Sequence, residues 1–113
     1  MKRDLVRLLT CSLVVGGVIV LGAVRSQAQS AGETLLKTKC AACHGPDGKG
    51  EVPMGKKLSV PNLSSTEVQS QSDVQLTGSV TKGKNKMPAY DGKLTKEQIG
   101  ELVAYIRDLG KKH

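Results

Sequence analysis

At 113 residues the chain has room for one small domain, and with two Tyr, no Phe and no Trp it lacks the large flat side chains from which a core of that size is packed. The formal charge of +7 at pH 7 is too modest, and too poor in interleaved aromatics, to point to nucleic-acid binding. Three cysteines, one of them at position 11, leave no disulfide framework to build once that first one is set aside.

The N-terminal stretch Met1-Lys2-Arg3-Asp4-Leu5-Val6-Arg7 is charged, Leu8 to Val24 is largely apolar, and Arg25-Ser26-Gln27-Ala28-Gln29-Ser30 is small and polar. Those are the three regions of a secretory signal peptide, predicted here over residues 1–28. Ser26-Gln27-Ala28 offers small residues at the positions cleavage requires, and Ala28-Gln29-Ser30 is a second candidate. The apolar stretch is near the lower limit for a membrane span, so an uncleaved anchor is the alternative. Cleavage removes Cys11 and any membrane span. It leaves residues 31–113 as one domain of formal charge +4, thirteen Lys and Arg against nine Asp and Glu. The expected location is the periplasm or an equivalent extracytoplasmic compartment.

From Gly32, residues 33–39 predict a short helix with Glu33 in an acidic first turn and with Leu36 one turn before Cys40 on the same face. It delivers Cys40-Ala41-Ala42-Cys43-His44, whose order matches the attachment signature of a c-type haem. Cysteines three apart on a helical turn share a face, so both sulfurs can form thioethers to the vinyl groups along one side of a porphyrin. His44 follows directly, and a neutral imidazole is a good ligand for the iron. Two rivals exist. Structural zinc needs four protein ligands, for which only Cys11 and His113 remain. A dithiol redox pair belongs after a strand in a βαβ pattern, and no alternating β-branched run precedes Cys40. A buried porphyrin also supplies the flat apolar body that the side chains lack.

Gly45-Pro46-Asp47-Gly48-Lys49-Gly50 is dense in turn residues and ends the helix. Glu51 to Ser65, with Pro53 and Pro61, predicts a loop along one side of the haem, with Leu58, Val60 and Leu63 as apolar contacts. The second nitrogen of His44 is expected to donate to a backbone carbonyl in this loop, Pro53 being the candidate. A second helix is predicted from Ser72 or Asp73 as N-cap, with Val74, Leu76 and Val80 as its apolar residues and Gly83 just past its end.

The polar loop from Lys82 to Tyr90 carries Met87, biased by Pro88 to an extended backbone that can project its thioether into a cavity. Met54 is the other sulfur of the domain, expected in packing or solvent contact. Lys82, Lys84 and Lys86 are either an ordinary solvated face or a docking patch for an acidic partner. The last helix is predicted from Lys96 to about Leu109, with a capping box of Thr95 and Gln98 and a staple of Leu94 and Ile99. Ile99, Leu102, Val103, Ile106 and Leu109 form its core stripe.

With the pentad near its start, Met87-Pro88-Ala89-Tyr90 in its second half and an amphipathic C-terminal helix containing Tyr105, the domain resembles the class I (monohaem) c-type cytochromes over nearly its whole length. The resemblance implies an all-α, cytochrome c-like fold of helices and loops around one covalently attached haem c. Cys40 and Cys43 would carry the thioethers, His44 would be an axial iron ligand and Met87 the sixth ligand opposite it. It also implies that the terminal helices cross at a small residue, which maps onto Gly32, with an aromatic on each side. Tyr105 matches, whereas Leu36 stands where an aromatic is common.

The implied function is electron transfer by Fe(III)/Fe(II) cycling between membrane or periplasmic redox proteins, by a monomer that needs no catalytic residue. The alternative is an open-site haem protein, gas-binding or enzymatic, in which Met87 does not ligate. Such a site ordinarily uses a polar distal group, and the one other histidine of the chain is His113.

Overall fold

Helix α1 is continuous over residues 27–44 of the computed structural model, which describes residues 27–112. It is α-helical over 27–35, passes through a π-helical turn at Leu36–Cys40 and closes with an α-helical turn at Ala41–His44. The short helix predicted over 33–39 is thus the middle of a longer one. Glu33 is an interior residue that pairs with Lys37 one turn on, at 2.6 Å, and not a first-turn acid. The predicted leader lies outside the described residues except for Gln27 and Ala28, which are helical. Gly45 stops the helix, adopting φ 76° while its N–H donates to the Ala41 carbonyl, a conformation open to glycine and strained for most other residues.

The segment 51–65 is not the plain loop expected. Pro53–Leu58 form helix α2, entered from extended Val52 and left through Ser59 at φ 53°. Proline breaks a helix interior but suits its first position, where the missing N–H would have no intrahelical partner. A second short helix, α3, spans Thr66–Gln69 and is capped by the Ser65 hydroxyl accepting from the Val68 N–H.

Helix α4 spans Asp73–Lys82 and ends at Gly83. Its N-cap is Ser72 rather than Asp73: the Ser72 hydroxyl accepts from the Gln75 N–H at 3.1 Å, and the Gln75 side chain accepts from the Ser72 N–H at 2.8 Å. Leu76 and Val80, four apart, face inward, whereas Val74 is 82% exposed. Val74 was expected among the helix's apolar contacts, but two residues before Leu76 is the opposite side of a helix.

Helix α5 spans Lys96–Lys111 with the Thr95–Gln98 capping box in place. The whole predicted stripe is buried, with Tyr105 added to it, and both staple residues, Leu94 and Ile99, are buried as well. Among the described residues there is no strand, only isolated bridges at Lys84–Met87 and Asp91–Leu94.

The two long helices cross where Gly32 meets α5. A Cβ on Gly32 would run into the Glu101 carbonyl oxygen and lie 2.7 Å from the Tyr105 Cβ, so the backbones approach as closely as the absence of a side chain permits. Leu36, one turn on, is 1% exposed. Just past the crossing on α5, polar groups fasten the short helices. Gln69 donates to the carbonyls of Leu63 at 2.8 Å and Ile106 at 2.9 Å. Arg107 bonds the carboxylate of Asp73 and the carbonyls of Gln69 and Gln71. Hydrogen bonds from a charged donor are about twice as strong as neutral ones.

Gly32→Val is expected to destabilise the fold by about 1–3 kcal/mol through overpacking at the crossing. Gly100, also in α5, has open space where its Cβ would be, and Gly100→Ala should be neutral or stabilising by up to about 1 kcal/mol. Denaturant midpoints of the two variants check both signs.

Candidate functional site

At the C-terminal end of α1 lies a cavity of about 680 Å³, within the usual range of about 300–1,000 Å³ for a small-molecule or cofactor site. One wall is the end of α1, with Cys40, Cys43 and His44. Cys40 stands at the N-cap of the last helical turn and Cys43 within it, so the pair is carried on one helical segment. Another part of its lining is the loop after α4, which contributes Met87, Pro88 and Tyr90. Leu58, Val60 and Leu63, expected as apolar contacts, line the cavity, and so does Val68 of α3. A smaller void of about 70 Å³ adjoins it, closed by Leu36, Leu102 and Ile106 and sharing His44 and Met87 with the larger one.

The chemistry of these groups narrows what the cavity can hold. Burial pushes the Cys40 thiol above its ordinary range, the opposite of the depressed pKa of a reactive dithiol. Among the described residues no group of three or more His, Cys, Asp or Glu could hold a metal ion by itself, so a protein-only zinc site has no ligand set there. Burial also lowers the pKa of His44, keeping its imidazole neutral at pH 7 and able to give a lone pair to a metal.

Nδ1 of His44 is buried and has no hydrogen-bond partner. The expected donation to Pro53 is therefore not made. Pro53 opens α2, where its carbonyl points along the helix axis into the intrahelical ladder. Buried polar atoms are seldom left unpaired without a functional reason. A half-buried imidazole that shares with two thiols a cavity too large for any side chain to fill fits a flat apolar group that carries its own metal.

The sulfurs separate clearly. Met87 is half-buried, packs against the core and lines the cavity. Met54 is 46% exposed and is not part of the cavity wall. Met87 is held by a tight turn, its N–H donating to the Lys84 carbonyl at 2.9 Å and its carbonyl accepting from the Lys84 N–H at 3.2 Å, with Asn85 left-handed at φ 54°.

Residues 27–106, well over half of the chain, match the family model described as cytochrome c oxidase, cbb3-type, subunit III. Cytochrome c6 of Limnospira maxima is 33% identical over 85 residues, covering 74% of this chain and 94% of that protein. Cytochrome c6 of Thermosynechococcus vestitus is 32% identical over 103 residues, covering 90% of this chain and 89% of that protein. Cytochrome c6 of a Nostoc species is 38% identical over 80 residues, covering 71% of this chain and 68% of that protein. The chain belongs to the monohaem c-type cytochromes. The cytochrome carries covalently bound haem c and transfers electrons; it is an electron carrier rather than an enzyme. No helix among its described residues is long and apolar enough to cross a membrane.

Two features of the cytochrome's site escaped the sequence. Lys39, directly before the pentad, is exposed and lines the cavity together with Lys84 and Lys86, whereas Lys82, at the end of α4, does not reach it. The Tyr90 hydroxyl donates to the Lys39 carbonyl at 3.1 Å, a contact over 51 residues that no local pattern announces.

Proposed function

We propose that this cytochrome is a one-electron carrier of an extracytoplasmic compartment, with its haem attached through Cys40 and Cys43 and its iron held between His44 and Met87. The observation that carries this reading is that these four side chains, 47 positions apart at the extremes, line one cavity. When bound, the haem supplies a one-electron Fe(III)/Fe(II) couple, and His/Met ligation favours a high potential. The protein's part is positional. Cys40 and Cys43 would prevent dissociation, the half-buried His44 imidazole and Met87 thioether would hold the iron, and the apolar side chains of the cavity would keep water from the group.

Relatives that match almost end to end support a free carrier over a fixed oxidase subunit, although the family model bears an oxidase description. Export is supported by the three-part pattern of residues 1–28, with cleavage near Ala28, and by the need to form thioethers to haem outside the cytoplasm. Its partners would be membrane or periplasmic redox proteins, met as a monomer.

Acid–acetone extraction of protein made with a working haem-maturation system should leave the colour with the polypeptide, and Cys40→Ala with Cys43→Ala should release it. Extraction of haem from the wild-type protein would overturn the attachment.

Oxidised protein should show the weak far-red band of a thioether–iron bond. Met87→Ala should abolish the band and lower the potential, while Met54→Ala leaves both unchanged. The reverse pattern assigns the ligand to Met54.

Lys39, Lys84 and Lys86 place three exposed cations around the cavity, with Glu67 as the one carboxylate on its wall. Such a rim steers an acidic partner toward the electron-transfer edge and is screened by salt, the Debye length being about 10 Å at 0.1 M. Second-order electron-transfer rates with an acidic redox partner should fall as salt rises. Glutamine at these three positions should flatten the dependence more than glutamine at Lys96, Lys111 and Lys112, and equal flattening would assign the effect to net charge.

A further inference from the structure

His44 and Met87 line the same cavity, one on α1 and the other on the loop between α4 and α5. The loop is tied to α4 by its backbone, Tyr90 N–H to the Val80 carbonyl at 3.0 Å and Asp91 N–H to the Thr81 carbonyl at 3.1 Å. To α1 it is joined, among the described residues, by one hydrogen bond, from the Tyr90 hydroxyl to the Lys39 carbonyl at 3.1 Å. Lys39 immediately precedes Cys40, and Tyr90 stands three residues after Met87. The phenol ring lines the cavity, is partly buried against the core and has the Lys93 ammonium 5.8 Å from its centroid. It therefore spans from the methionine loop to the helix that carries the other haem-binding groups.

The geometry points to Tyr90 as the positioning residue that latches the Met87 loop shut against α1 and so holds the thioether on the iron against competing ligands. This rests on Met87 being the sixth ligand. A thioether is displaced only while its loop is open, so an external ligand binds with an apparent affinity proportional to the open fraction. One hydrogen bond between the loop and α1 weights the closed form. Removing the hydroxyl and keeping the ring raises the open fraction by about two- to tenfold, the net effect of a single protein hydrogen bond. The ring's packing and the backbone bonds to α4 are untouched in Tyr90→Phe, so the loop keeps its fold and loses only its bolt.

The test is a titration of the ferric holoprotein with imidazole, followed in the visible spectrum together with the far-red band, for the wild type, Tyr90→Phe, Tyr105→Phe and Met87→Ala. Tyr90→Phe is expected to bind imidazole about two- to tenfold more tightly than the wild type and to lose the far-red band at a lower temperature. Tyr105→Phe, which alters the other tyrosine of the chain on α5, should match the wild type in both. Unchanged imidazole affinity in Tyr90→Phe overturns the latch, even if its denaturant midpoint falls, because the hydroxyl would then be an ordinary contact of the fold. An equal gain in Tyr105→Phe overturns it too. A wild type that shows no far-red band and binds imidazole as tightly as Met87→Ala overturns the ligation by Met87, which separates that failure from a failure of the latch alone.

Discussion

The contact between Gly32 and the Glu101–Tyr105 stretch of α5 sets the position of everything that bears on the haem. It fixes the distance and angle at which α1 crosses α5, and with them the place where Leu36 enters the core and where α1 ends in Cys40, Cys43 and His44. α5 in turn serves as the floor. Its buried face lines, with Leu102 and Ile106, the small void that His44 and Met87 also border, and its later turns hold α3 and the start of α4 through Gln69 and Arg107. A displacement at the crossing would be passed along a rigid helix to the end that carries Cys40, Cys43 and His44, because packed interiors transmit strain rather than absorb it.

The shortage of aromatics acts through the same frame. Tyr105 is the one aromatic among the buried residues described, and it is used at the crossing rather than at the centre. The aliphatic side chains make a shell around the cavity and do not fill it. The porphyrin is thus part of the core as well as the redox group, which ties the stability of the folded chain to the presence of its cofactor.

Much of this was legible in the sequence where the determinants are local. The capping box of Thr95 and Gln98 and the stripe from Ile99 to Leu109 each lie within a few turns of chain, and both stand in the fold as read. Gly32 and Tyr105 were paired through family resemblance and met as expected. Local pattern misled in α2, where Pro53 reads as a breaker although it is the helix's first residue, and in Val74, an apolar residue facing solvent. Long-range polar contacts were silent. Nothing near Gln69 or Arg107 signals the carbonyls they reach 37 and 38 residues away, because a hydrogen bond to backbone asks nothing of the partner's side chain.

The π-helical turn at Leu36–Cys40 gives α1 a property that a regular helix of the same length would lack. Successive residues of an α-helix are rotated by about 100°, and a π-bulge accommodates one extra residue without lengthening the ladder by a full turn. The face that meets α5 at Gly32 and the face that presents Cys40 and His44 are therefore set in phase by that one residue. The turn works as a vernier: it adjusts the azimuth of the end that carries Cys40, Cys43 and His44 independently of the crossing, so moving or losing a single position here re-aims those side chains without disturbing the helix pair beneath them.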